Sequence, residues 1–357
     1  MAFLSVFLLM TLTLFGSVSS FQVSPARRIA KNGNNSLFSR YPPHMRQWST
    51  TEPHSFQPDN DGASSTTISG KFIDYLNVLR PVTILQAVGA LIVGHLALSS
   101  GMKPLKIIPA SLSVYLSYGC GMLMNDLVDV DADSLHNDKQ DRAIASGRIS
   151  TTSGWIYCAS LVALSLLLGN IVGGLYAIWV ASNLGIMLFY ALGLQKVFLL
   201  KNILCGWLAV SPLIGASLLT GSSVGTEAIA LRKYHKLWSL AAVGFPMQVS
   251  REILKDIEDV DIDRGKKMTF PIVIGKRASH WIAYGIITMN ISLMVFTPLY
   301  WELFASRVPI FPLGVIVSAS MCTKAAMIPL KEGQQLVKNS IYVLLAAMIG
   351  ALSLQQS

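Results

Sequence analysis

The chain has 357 residues, of which 52% are hydrophobic and only 13% charged, with a mean hydropathy of +0.51. Soluble domains carry about 25% charged residues, so this composition excludes an ordinary soluble protein and places the chain in a lipid bilayer. The formal net charge of +9 does not point to nucleic acid, because the basic residues are spread between apolar segments, as in loops that anchor at lipid headgroups. Cys120, Cys158, Cys205 and Cys322 lie in or beside apolar runs without CxxC spacing. They read as small buried hydrophobes, neither a disulfide frame nor a metal site.

The first element is MAFLSVFLLMTLTLFGSVSS, residues 1–20. An apolar core followed by small residues reads as a secretory signal, although no Lys or Arg precedes it; a short first membrane span is the alternative. Residues 21–51 contain Arg27, Arg28, Lys31, Arg40 and Arg46 but no Asp or Glu, which is transit-peptide composition. With Phe21 just after small residues, the two parts resemble the bipartite presequences of algae with secondary plastids. Residues 21–70 are therefore expected to be disordered or removed, leaving a membrane domain at 71–357. A plastid membrane is the expected address, with mitochondrial and endomembrane locations as alternatives.

Nine apolar segments follow, at about 82–99, 107–124, 154–169, 171–191, 197–220, 237–250, 281–300, 308–325 and 339–354. A span needs roughly 20 such residues. The expectation is an all-α polytopic membrane protein of about nine transmembrane helices, whose repeated Gly and Ala suit close helix packing in lipid. Counting spans places the loops after the second, fourth, sixth and eighth on one side of the membrane. That side also takes most of the basic residues beyond position 70, which makes it stromal or cytosolic.

Acidic residues are far more uneven. Asp126, Asp129, Asp131, Asp133, Asp138 and Asp141 crowd the end of the second span, in MLMNDLVDVDADSLHNDKQDRAIASGR. Glu252, Asp256, Glu258, Asp259, Asp261 and Asp263 crowd the end of the sixth, in SREILKDIEDVDIDRGKKMTFPI. Both clusters face the same side. Asn125, Asp129 and Asp133 are four apart on one helix face, with Asp126 beside it, and Asp256, Asp259 and Asp263 follow i, i+3, i+7. Like charges stacked this way destabilise a helix unless something cationic balances them. Sparse hard oxygens suit Mg²⁺, which binds through one or two carboxylates plus phosphate oxygens. Facing clusters would then hold a diphosphate between metal ions. The order of an EF-hand is absent from both. Arg142 and Arg148 follow the first cluster, and Lys255, Arg264, Lys266 and Lys267 surround the second. Tyr190, Lys196 and Lys201 mark the junction between the fourth and fifth spans. Each Arg or Lys either neutralises phosphate or anchors a helix at the headgroups.

NDLVDVDAD resembles the NDxxDxxxD motif of the UbiA-type intramembrane prenyltransferases, and DIEDVDID resembles their second motif, DxxDxxxD. The similarity covers about residues 70–354. It implies a helical bundle around a central cavity with a lateral opening to lipid. It also implies Mg²⁺-dependent transfer of a prenyl group from a prenyl diphosphate to a lipophilic or aromatic acceptor. The implied metal ligands are Asn125, Asp126, Asp129, Asp133, Asp256, Asp259 and Asp263. Diphosphate contacts are implied at Asn125, Arg142, Tyr190, Lys196 and Lys255. Asp129, Asp259, Arg142, Lys196 and Lys255 are the expected catalytic groups.

The sequence departs from the family pattern at Ala143 after Arg142, at Ala145-Ser146-Gly147, at Ile262, and in the six-residue spacing of Tyr190 and Lys196. The second motif region is most similar to the archaeal digeranylgeranylglyceryl phosphate synthases, then to homogentisate prenyltransferases of plastids and chlorophyll synthases. The resemblance therefore implies an acceptor of ether-lipid, quinone or tocopherol, or chlorophyll type, and does not choose among them. Two other classes make different demands on the sequence. An ion-coupled transporter predicts acids within the spans, whereas here they gather at span ends. A non-catalytic scaffold has no use for intact aspartates.

Overall fold

The computed structural model describes residues 68–98, 104–134, 139–219, 227–265 and 267–356. The presequence up to residue 67, Asp138 and Lys266 lie outside the described residues. Every regular element among the described residues is helical.

Helix α1 (Ile68–Val78) leads into α2 (Pro81–Leu98) and α3 (Pro104–Val128), which is followed after one residue by the short α4 (Val130–Ser134). Next come α5 (Thr151–Val172), α6 (Gly174–Leu192), a 3-10 turn at Leu194–Lys196, and α7 (Leu200–Ser217). The long α8 (Glu227–Glu258) is followed, again after one residue, by α9 (Val260–Asp263). The chain ends with α10 (Phe270–Ile274), α11 (Lys276–Phe296), α12 (Pro298–Leu303), α13 (Ile310–Met327) and α14 (Leu330–Gln356).

Local chemistry sets these boundaries. Pro81 and Pro298 begin helices where a missing N–H costs nothing. Ser150 caps α5 by accepting from the Ser153 backbone N–H at 3.2 Å. The expected break at GNIVGG narrows to Gly173 alone, whose φ of 156° joins α5 to α6 in a conformation that favours glycine.

Among the described residues eight helices are long and apolar enough to cross a membrane, and they match eight of the nine expected spans. Their outward side chains, such as Ile156, Leu167, Ile171, Leu175 and Ile178, are exposed as lipid-facing residues must be. The expected span at 237–250 lies within α8, whose 32 residues give ample length, at 1.5 Å per residue about 48 Å. Its composition is too polar to read as a lipid-facing span, and its position explains why. Nothing from Val243 to Val260 is exposed. The helix packs against α7, α11 and α14 and touches α2, so its polar residues meet protein.

One apolar cluster joins α2, α3, α5 and α6 through Leu91, Val114, Leu123, Leu161 and Val180. A second joins α2, α8, α13 and α14 through Val93, Leu240, Phe311 and Leu344. A third, with Leu254, Ile287 and Val337, joins α8, α11 and α14. An apolar cavity runs between α2, α7, α8 and α14, lined by Ala90, Val93, Leu213, Val243, Met247 and Leu344 among others.

Candidate functional site

Both aspartate motifs interrupt their helices at the same place. Helix α3 stops at Val128 and α4 resumes at Val130, leaving Asp129 between them; α8 stops at Glu258 and α9 resumes at Val260, leaving Asp259. The hydrogen-bond ladder nevertheless continues through each break. Asp129 N–H donates to the Asn125 carbonyl at 3.0 Å and Asp133 N–H to the Asp129 carbonyl at 2.8 Å. Asp259 N–H likewise reaches the Lys255 carbonyl at 3.0 Å, and Asp263 N–H the Asp259 carbonyl at 2.9 Å. The four-residue repeat thus survives a local loosening, and the motif residues stay on one face. Asp131 and Asp261, off that face, are exposed.

Carboxylates buried this deeply need partners. In the first motif Asp126 and Asp133 are 4% and 5% exposed. Arg142 donates to Asp126 at 2.9 Å and to Asp133 at 2.7 Å, while Arg80 also pairs with Asp126. Arg80 has a φ of 55°, a left-handed conformation that costs a non-glycine residue about 1 kcal/mol or more. It sits directly before Pro81, where the chain turns into α2. In the second motif Asp256 is fully buried. It takes an ion pair from Lys201 and a 3.2 Å hydrogen bond from Asn202 Nδ2. Lys267 lies 3.7 Å from Asp263.

Asp129 and Asp259 differ from these. Gln195 Nε2 donates to Asp129 at 3.3 Å, and neither aspartate has an ion pair among the described residues. Asn125 Oδ1 is buried without a hydrogen-bond partner among the described residues. The least compensated oxygens of the site are therefore those of Asn125, Asp129 and Asp259. No group of three or more His, Cys, Asp or Glu side chains among the described residues is gathered closely enough to enclose a metal ion. The donor set still fits Mg²⁺, which takes one or two carboxylates per ion and completes its shell with water and phosphate oxygens.

The α6–α7 junction connects the two motifs. Gln195 reaches Asp129, Lys201 and Asn202 reach Asp256, and the Lys196 carbonyl accepts from Met268 N–H at 3.0 Å, just beyond α9. Both motifs thus flank one short stretch of chain. Of the residues singled out from sequence, Arg142 lies at the centre of the first motif. The Lys196 side chain is exposed, and it is Gln195 and Lys201 that touch the aspartates. Tyr190 Oη accepts from Cys205 Sγ at 3.6 Å. Lys255 lies one turn before Asp259, without an ion pair among the described residues. Arg80, Gln195 and Asn202 were not anticipated. Arg80 and Pro81 at the start of the first span offered the one sequence signal. Cys120 and Cys158 pack together in the apolar core as free thiols.

Comparison with known proteins agrees with this architecture. The sequence profile described as the UbiA prenyltransferase family matches residues 87–338. The digeranylgeranylglyceryl phosphate synthase of Methanothermobacter thermautotrophicus is 34% identical over 210 residues, 58% of this chain and 69% of that protein. That of Pyrococcus horikoshii is 28% identical over 286 residues, 78% of this chain and 97% of that protein. A solved UbiA homologue from Archaeoglobus fulgidus, bound to GPP and Mg²⁺, shares the fold with a TM-score of 0.58 at 17% identity. The match covers 78% of this chain and 99% of the homologue. The helical bundle, its two aspartate motifs and this family match lead to one conclusion: the chain is an integral membrane protein of the UbiA prenyltransferase family, and an enzyme of the prenyltransferase type.

Proposed function

We propose that this enzyme transfers a prenyl group from a prenyl diphosphate to a phosphate-bearing glycerol lipid, with Mg²⁺ at its two aspartate motifs. The observation that carries this reading is the pair of matching helix breaks at Asp129 and Asp259, flanking one junction. The archaeal relatives, by their names synthases of a glyceryl phosphate lipid, support the ether-lipid type of acceptor over the quinone and chlorophyll types.

Asp129 and Asp259 would lead the metal set, with Asn125, Asp126, Asp133, Asp256 and Asp263 completing it through their remaining lone pairs. Bound there, Mg²⁺ would supply charge stabilisation to the departing diphosphate. Arg142, Lys196 and Lys255 would add positive charge that stabilises the diphosphate oxygens as the allylic C–O bond breaks. Asp126 and Asp133 hold the Arg142 guanidinium in place. Asp256 does the same for Lys201. The buried apolar faces of α2, α7 and α8 shelter the allylic carbon from water, which would otherwise capture it. The acceptor oxygen then attacks that carbon and loses its proton.

Residues 1–70 are proposed to carry the address. Their signal-like start and acid-free basic stretch suit a plastid membrane, with the aspartate motifs on the stromal side. The activity is tested by incubating membranes with labelled prenyl diphosphates of several lengths and an acceptor panel of glycerol phosphate lipids, aromatic acids and chlorophyllide. Prenylated glycerol phosphate lipid is the expected product. Exclusive prenylation of an aromatic acceptor would replace the ether-lipid reading with the quinone or tocopherol type.

A further inference from the structure

The apolar cavity is capped by cations that the aspartate motifs do not use. Gln86 on α2 and Ile341 on α14 line its upper rim, next to Met247 on α8. At that rim Gln86 donates to Gln248 at 3.1 Å; one turn further along α8 Gln248 donates to Glu252 at 3.0 Å, and Arg251 pairs with Glu252 at 2.9 Å. Lys338, one turn above Ile341, donates to Thr83 Oγ1 at 3.3 Å. It lies within electrostatic reach of Arg251, Arg80 and Lys255.

The charges here do not cancel. Arg80 and Arg142 are balanced by Asp126 and Asp133, Lys201 by Asp256, and Arg251 by Glu252. The next acid up, Glu258, is held by Gln334 of α14 at 3.3 Å. Among the described residues Lys338 has only a neutral hydroxyl, that of Thr83, as its partner. Arg251 is 13% exposed, and its Nε–H is buried with no acceptor among the described residues. A partly buried cation within electrostatic reach of a second one, which itself carries an orphaned donor, calls for an anion. Arginine and lysine together suit a phosphate, one as a fork and the other as a point charge.

We propose that Lys338 and Arg251 bind the phosphate monoester of the lipid acceptor, whose chain descends along the cavity below, past Gln86 and Ile341. This rests on the prenyl-transfer reading above and adds the acceptor's place in it. Glu252, paired with Arg251, is the one carboxylate described at this spot, whereas the metal-assisted diphosphate belongs to Asp129 and Asp259. Thr83, through its hydroxyl, positions the Lys338 ammonium.

The test is direct binding to the full-length protein in lipid nanodiscs, which needs no turnover. The probes are a single-chain glycerol phosphate ether lipid, the same lipid without its phosphate, and a non-hydrolysable prenyl diphosphate analogue. The wild type is expected to bind the phosphate form about tenfold or more tightly than the neutral form, the size of a charge-assisted contact. Lys338→Gln should erase that preference, Lys338→Arg should retain most of it, and neither should alter binding of the prenyl diphosphate analogue. Equal affinity of the wild type for both lipids, or an unchanged preference in Lys338→Gln, would overturn the proposal. Parallel loss of analogue binding would assign the site to the diphosphate and overturn it as well. Prenyl transfer measured on the same preparation reports separately on the enzyme reading.

Discussion

Asp129 and Asp131 are two residues apart in one acidic run, yet the fold treats them differently. Asp129 sits in the break between helices with Gln195 beside it, whereas Asp131 points to the surface. The same contrast separates Asp259 from Asp261, whose carboxylate is exposed and pairs with Lys276 at 3.0 Å. Asp129→Ala and Asp259→Ala should each lower kcat by on the order of a hundredfold to a thousandfold, the cost of losing one preorganised electrostatic group. Asp131→Ala and Asp261→Ala should stay within a few-fold of wild type. Initial rates on purified, correctly folded variants check this, and equal losses at all four positions would favour a diffuse acidic surface. Arg80 makes a second case. Arg80→Gly should relieve its left-handed backbone while removing one of the two cations on Asp126. The variant should therefore insert and unfold much as the wild type does but transfer far more slowly, as thermal unfolding and turnover measured together would show.

At the scale of elements, close helix contact has to be kept between α2 and α7, which border the cavity. A Cβ at Gly94 would stand 2.9 Å from the Ala216 side chain and 3.1 Å from the Leu213 backbone. Gly94→Leu should lower stability by about 1–3 kcal/mol through overpacking, read as a drop in Tm in detergent. An unchanged Tm would mean that the two helices are less tightly opposed. Helices also show where sequence reading succeeds and where it stops. The spans exposed to lipid were legible because lipid demands apolar side chains along the outward faces. Helix α8 was legible only as a stretch at 237–250, because burial among α7, α11 and α14 lets it carry Gln248, Arg251, Glu252 and Asp256. The motif faces were legible because their spacing repeats along one helix. Arg80 to Asp126, Gln195 to Asp129 and Asn202 to Asp256 were not, since those pairings cross between helices and no local periodicity encodes them.

For the whole molecule, the two motifs end α3 and α8 and converge on the α6–α7 junction, so both open at one end of the helical bundle. A fluorescent fusion of the proposed targeting region, residues 1–70, should reach a plastid, and Phe21→Ala should divert it. Mitochondrial fluorescence would overturn that proposal. The central claim is that both motifs act together, through Mg²⁺, on a prenyl diphosphate. The measurement that tests it most directly is transfer of a labelled prenyl chain by the purified enzyme in liposomes, before and after chelation with EDTA and after Mg²⁺ is added back. Transfer should cease in EDTA and return with Mg²⁺ in the wild type, and Asp129→Ala should remain nearly silent throughout. Undiminished transfer in EDTA, or full Mg²⁺-dependent activity in Asp129→Ala, would contradict the account.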